Sequence, residues 1–240
     1  MLVVAPTASF IVTIDGPAGT GKSTVAHRLA QRPGLESLAT GAMYRAAALA
    51  ALERGIDPAD GPRVAELVGS MELRFRWEAD PPQLLVDGVA VGERIRTPEV
   101  TRAVSAVASN PLVRTEMVKA QRAIASRHPR LVTEGRDQGS VVFPDADVRI
   151  YLDAAPEVRA RRRVEQLRAK GIDAEESEVL AQILERDARD SSRRDGPLVC
   201  PSGADIVDTS GIDVDEVIDR LESIVRTRAR EILAPRGSRR

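Results

Sequence analysis

A chain of 240 residues with 42% hydrophobic and 30% charged positions suits one large α/β domain, or a core domain carrying an insertion, and is not disordered. Its 35 basic and 36 acidic residues leave a formal net charge of −1, so no global field draws it to nucleic acid or to a membrane surface. Aromatics at 2% remove the stacking platform that single-strand nucleic-acid binding needs, and the one cysteine, Cys200, excludes an internal disulfide and argues against structural zinc.

In chain order, Met1 to Ile14 contains an apolar stretch with no basic segment before it, and it runs directly into a glycine-rich loop, which a cleaved leader could not do. No uninterrupted apolar run approaches the roughly 18 to 20 residues that span a bilayer. A cytoplasmic location is expected. Phe10 to Ile14 is apolar and β-branched, as a buried strand requires. The loop that follows, Gly16-Pro17-Ala18-Gly19-Thr20-Gly21-Lys22-Ser23, satisfies G-x-x-x-x-G-K-[ST], and Thr24 to Ala30 continues as a helix. Glycines let backbone N–H groups converge on phosphate oxygens, and the helix N-terminus favours negative charge there. Lys22 is expected to reach the β- and γ-phosphates, and the Ser23 hydroxyl to coordinate Mg²⁺. The plainer alternative, a glycine-rich turn that binds nothing, does not account for the strand–loop–helix context.

Beyond a turn at 32–34, Thr40-Gly41-Ala42-Met43-Tyr44-Arg45 opens an Ala-rich helix ending near Gly55, and Pro58 to Pro62 reads as a break. Leu73 to Arg76 and Gln83 to Val86 flank Ala79-Asp80-Pro81-Pro82, which predicts a small antiparallel insertion with a third short strand after Asp87-Gly88. Helices are expected over about Pro98 to Val107 and Leu112 to Ser126, and a second core strand over Arg130 to Glu134. Val148 to Leu152 is a third strand. Two charged helices follow, at roughly 156–170 and 177–192 with Gly171 between them, then a strand at Ala204 to Val207 and a helix at Val214 to Leu233. The tail from Pro235 is expected to fray.

Two groups of residues suggest phosphate chemistry. Arg186, Arg189, Asp190 and Arg193 fall at helical spacing i, i+3, i+4 and i+7, so one face presents three guanidiniums and one carboxylate. Such a run is commonly a solvated face, but several guanidiniums around a migrating phosphoryl group are what phosphoryl transfer requires. Arg159, Arg161, Arg162 and Arg163 lie too close in sequence to share a face, and most are expected to face solvent. Glu134-Gly135-Arg136-Asp137-Gln138-Gly139 sits at the carboxyl end of a predicted strand, where open α/β sheets bind ligands. Either Arg136 and Asp137 form only a local ion pair, or Arg136 holds a phosphate and Asp137 accepts from a base amino group. His27 and His128 read as structural, and Trp77 as a packing residue.

Taken together, Ile14 to Gly19, Thr40 to Arg45, Ile95-Arg96-Thr97-Pro98-Glu99-Val100, Glu134 to Asp137, Val141 to Ala146 and Arg186 to Asp190 resemble bacterial cytidylate kinases, of the nucleoside monophosphate kinase group. Ala39 departs from the acidic residue usual there, Gln138 from an aliphatic or Met, and Glu134 from the Asp of some members. The resemblance implies a P-loop three-layer α/β/α fold with a parallel central sheet, an inserted substrate-binding subdomain and a helical lid. In that scheme residues 1–39, 130–155 and 197–240 form the core, 40–129 the nucleoside monophosphate insertion and 156–196 the lid. It also implies that ATP, bound by Gly16 to Thr24 with Mg²⁺, phosphorylates CMP or dCMP. Thr40, Tyr44 and Arg45 would line the acceptor site. Ser105, Arg114 and Asp137 match the cytosine-reading positions, with Glu134 beside them, because cytosine offers acceptors at O2 and N3 and a donor at N4. Arg136 and Arg186 would clamp the acceptor phosphate, Asp190 would hold ribose hydroxyls, and Arg189 and Arg193 would close from the lid. Lys22, Arg136, Arg186, Arg189 and Arg193 are thus the expected catalytic set. The chain is expected to act as a monomer, with nucleotides as its only partners and neither nucleic acid nor membrane. A UMP or other monophosphate kinase, and a non-catalytic nucleotide-binding regulator, are the competing readings.

Overall fold

The computed structural model describes residues 9–233 apart from 33 and 170, so the tail expected to fray from Pro235 and part of the 32–34 turn lie outside the described residues. Glu36–Pro129 forms one compact unit, and the described residues through Leu35 and from Arg130 form the other.

The flanking unit is built on parallel strands. β1 (Phe10–Asp15), β6 (Arg130–Glu134), β7 (Val148–Asp153) and β8 (Asp205–Asp208) lie in the order β6-β1-β7-β8. β1 is central, pairing Ile14 with Glu134 on one side and with Ile150 on the other. Phe10, Val12 and Ile14, two residues apart, point to one face and are almost fully buried. There they meet Val25, Ala26 and Leu29 of α1 (Lys22–Gln31) and Ile218, Leu221 and Val225 of α8 (Val214–Leu233). With so few aromatics, this core is filled by branched aliphatics and alanine. Thr13 and Asp15 belong to the opposite face and are nonetheless fully buried.

α6 (Pro156–Arg168) and α7 (Glu176–Ser191) form a hairpin with a small core of its own, Ala160, Val164, Val179 and Ile183. This small cluster is distinct from the core under the sheet.

The other unit is mainly helical. It contains the short strand β2 (Glu36–Ala39) and α2 (Thr40–Glu53), α3 (Gly61–Ser70), α4 (Pro98–Ser109) and α5 (Pro111–Arg127). The antiparallel strands β3 (Leu73–Arg76), β4 (Gln83–Val86) and β5 (Val89–Ala90) stand in that order, as their hairpin signals predict. α3 departs from the expectation of a break over Pro58 to Pro62, because the helix itself includes Pro62. It occupies the first turn, where a missing N–H costs nothing, and the Asp60 side chain caps the helix by accepting from Arg63 N at 3.2 Å. Trp77 stacks on Phe75 with ring centroids 5.1 Å apart and donates from Nε1 to His128 Nε2 at 3.4 Å, while His128 Nδ1 lies 2.6 Å from Glu36. These four side chains tie β2, β3 and the end of α5 together, which is a structural role.

Among the described residues no helix is long and apolar enough to cross a membrane.

Candidate active site

The phosphate loop begins where β1 ends. Gly16 has φ +144°, and a Cβ there would fall 2.0 Å from the Leu152 carbonyl of β7, so only glycine permits the turn. Gly21, at φ 85°, starts α1. Lys22 is 5% exposed, and its ammonium donates to the Pro17 carbonyl at 2.6 Å. Burial, and next the Arg136 guanidinium, hold its pKa well below the ordinary lysine value, against the opposing pull of Glu134 and Asp15. A polyanion on this loop would relieve that penalty, because it brings the counter-charge the buried ammonium needs.

Glu134 stands beside the loop because β6 pairs with β1 in register. Ser23 donates from Oγ to its Oε1 at 2.9 Å. A hydroxyl and a carboxylate oxygen, both hard donors, thus meet at the helix N-terminus, and this donor set fits Mg²⁺. No cluster of three or more His, Cys, Asp or Glu side chains suited to a metal occurs among the described residues.

The loop after β6 carries Arg136, whose Nε donates to Asp190 at 3.0 Å. Asp190, only 2% exposed on α7, also pairs with Arg193 and lies 3.9 Å from Arg186 Nε. One buried carboxylate therefore gathers three guanidiniums drawn from two segments of the chain. The helical face predicted from spacing divides here: Arg189 pairs instead with Glu185 at 2.5 Å on the exposed side. Arg193 lies just past the end of α7, and its side chain is still only 9% exposed.

Arg159 is the exception to the expectation that most of its cluster faces solvent. It is 4% exposed, and it donates to Ala154 O at 2.9 Å, to Ala18 O of the phosphate loop at 3.1 Å and to Asp187 of α7 at 2.5 Å. The cause is close approach: a Cβ on Gly19 would be 3.2 Å from Arg159 Cβ. Arg162 is partly buried on Thr209, whereas Arg161 and Arg163 are exposed.

In the helical unit, Thr40 opens α2 and is buried, and Arg45 donates to Thr101 Oγ1 at 2.9 Å and Ile95 O at 3.2 Å. Arg114 of α5, 4% exposed, donates to the Tyr44 hydroxyl at 3.4 Å. Ser105 is half-buried on α4. Five site residues from three helices thus fall within this one unit.

A sequence model of the family described as cytidylate kinase matches residues 12–227. The chain belongs to the cytidylate kinase family. Curated cytidylate kinases of Corynebacterium efficiens and Rhodococcus opacus are each 46% identical to it, over 93% of this chain and 97% of theirs. That of Pelotomaculum thermopropionicum is 44% identical over 92% of this chain and 97% of its own. A solved structure of an uncharacterized protein from Eubacterium ventriosum superposes with a TM-score of 0.50 at 14% identity, over 92% of this chain and 99% of that one, which speaks to fold alone.

Within this cytidylate kinase family framework, two groups escaped the sequence reading. Asp15 had a usable signal, an acid ending an otherwise apolar buried strand directly before the phosphate loop. Arg159 had none, since nothing separates it from its arginine neighbours until α6 is packed.

Proposed function

We propose that the chain transfers the γ-phosphoryl group of ATP to CMP or dCMP, giving ADP and CDP or dCDP. The observation that supports this most is the juxtaposition, at the carboxyl ends of paired strands β1 and β6, of a complete phosphate loop and a guanidinium cluster around Asp190. Family membership directs the choice of acceptor.

In this reading an oxygen of the acceptor phosphate attacks Pγ, the bond from Pγ to the β–γ bridging oxygen breaks, and ADP leaves with the electron pair. No side chain needs to act as base, because the acceptor oxygen is already a nucleophile; the residues align the groups and neutralise charge. Lys22 would hold the β- and γ-phosphates, with Gly16 to Thr24 around them. Arg136, Arg186 and Arg193 would face the migrating group, and Arg189 would join them only by leaving Glu185. Ser23 and Glu134 would hold Mg²⁺, which when bound neutralises phosphate charge.

For the acceptor, Thr40, Tyr44 and Arg45 would bind the nucleotide, with Arg45 on its phosphate. Arg114, Ser105 and Asp137 would read cytosine, and Asp190 would exchange guanidiniums for ribose hydroxyls. Uracil presents N–H at N3 and a carbonyl at C4, the reverse of what Arg114 and Asp137 complement. The test is a coupled assay of ATP and Mg²⁺ with CMP, dCMP, UMP and AMP. CMP or dCMP is expected to lead, and faster turnover of UMP would overturn the base-reading roles.

A further inference from the structure

Residues 135–139 carry Arg136 and Asp137, and consecutive residues of β1 hold this loop at both ends. At its start, Gly135 N donates to the Ile14 carbonyl at 3.0 Å. At its end, Gln138 N and Gly139 N each donate at 2.7 Å to the two carboxylate oxygens of Asp15. Gln138 and Gly139 begin a single wide turn, Gln138–Val142, and both are buried, so their N–H groups need a partner from within the protein. The residue at the N-cap position is Asp137, yet its side chain does not cap the turn. Asp15 does so from a different strand. The approach is close enough that a Cβ on Gly139 would lie 2.8 Å from Thr13 Oγ1.

We infer that Asp15 is a positioning residue for the acceptor nucleotide: by capping the turn after β6 in place of Asp137, it fixes Arg136 and Asp137 in the attitude that phosphate and base require. This rests on the proposed roles of those two residues. An Asn at position 15 would offer one acceptor oxygen to two N–H donors and turn an amide N–H₂ toward the other. Asp137, already at the N-cap position, would then be drawn to cap the turn itself and would leave the base. The charge state of Asp15 matters in the same way. Burial raises its pKa from 3.8 to about 6, helped by the negative charge of Asp137 and opposed by the two backbone N–H groups and by Lys22. Tyr151 of β7 and Cys200 are its other titratable neighbours, and both are pushed up in part by its charge.

The test is Asp15→Asn in the full chain, with initial rates at neutral pH against CMP and against ATP in turn. Loss of one charge-assisted hydrogen bond predicts a rise in KM for CMP of about tenfold or more. KM for ATP should stay within about twofold of the unaltered chain, since the phosphate loop keeps its own bonds. An equal rise in both constants would make Asp15 a support of the phosphate loop, and no rise in either would leave it without this role; both results overturn the inference. If Asp15→Asn does not fold, the unaltered chain decides by amide hydrogen exchange between about pH 7 and about pH 5. Selective loss of protection at Gln138 and Gly139 on acidification supports the capping role, and protection that tracks the rest of the sheet overturns it. The acceptor screen on the unaltered chain separates the two readings: without CMP turnover the proposed reaction falls, while the exchange measurement still judges Asp15.

Discussion

The two units place their candidate site residues on different kinds of scaffold. In the sheet unit the chemistry stands on loops at the ends of β1 and β6, fixed by register, by glycine turns and by a buried carboxylate that collects guanidiniums. In the helical unit it stands on helix faces: Tyr44 and Arg45 on α2, Ser105 on α4 and Arg114 on α5, the two arginines held by hydroxyls and a carbonyl. Loops built this way concentrate many backbone donors and charges near one point, which suits a triphosphate. Helices spaced apart present few, well-separated side chains, which suits reading one base. In the proposed reading labour would divide along these scaffolds: the sheet unit would handle the donor phosphates, and the helical unit would supply Ser105 and Arg114 to the base, with Asp137 the one proposed base contact that belongs to the sheet unit.

The largest expected effect is that of Lys22→Ala, which should lower kcat by about 10³-fold or more, since the role proposed for this cation is on charge that develops in the transition state. CMP binding by titration calorimetry should stay within about threefold. Loss of CMP binding in a variant whose circular dichroism is unchanged would break the division. Next comes Asp190→Ala, which leaves Arg136, Arg186 and Arg193 without their common carboxylate. Removing one partner from so buried a cluster predicts a loss of about 3 kcal/mol in urea unfolding, together with slower turnover. Stability equal to that of the unaltered chain would mean that Asp190 does not organise the cluster.

Arg114→Ala should raise KM for CMP by about 10- to 100-fold and leave KM for ATP within about twofold, because its proposed substrate contact is to the base, and its bond to the Tyr44 hydroxyl also lies on the acceptor side. A matching rise in KM for ATP would dissolve the contrast between units. The pH dependence is subtler. Asp15 has a folded pKa of about 6 against 3.8, so between these values the folded state binds more protons and stability rises as pH falls. Urea unfolding of the unaltered chain, referenced to Asp15→Asn, should therefore gain about 2 kcal/mol between about pH 6.5 and pH 4.5. A loss over that window would mean that Asp15 is held ionised, contrary to its burial. The smallest effect is on Arg189→Ala. Its exposed pair with Glu185 predicts less than about 1 kcal/mol of stability, and its effect on kcat should be smaller than that of Arg186→Ala. The reverse order in kcat would show that Arg189 exchanges Glu185 for substrate.

Legibility differed between the units for the same reason the scaffolds differ. The phosphate loop could be read locally, because its glycines, lysine and serine are contiguous and flanked by a clear strand and helix. Strands β3 and β4 were readable from alternation and turn residues. Arg45, Ser105 and Arg114 lie far apart along the chain and carry no local pattern, so only family resemblance singled them out. β2 and α3 escaped, the first because Glu36-Ser37-Leu38-Ala39 holds a single large apolar residue and the second because Pro62 mimics a stop.

By itself, then, the amino-acid sequence determined the triphosphate loop, the α/β class and the family, since these depend on contiguous residues and short-range backbone rules. Tertiary structure alone decided which arginines face Asp190, that Arg189 turns away to Glu185, that Arg159 is buried behind the phosphate loop, and that Asp15 caps a turn 123 residues further along the chain. A charged side chain takes its role from the partner that desolvation forces it to find, and that partner is set by packing rather than by its neighbours in sequence.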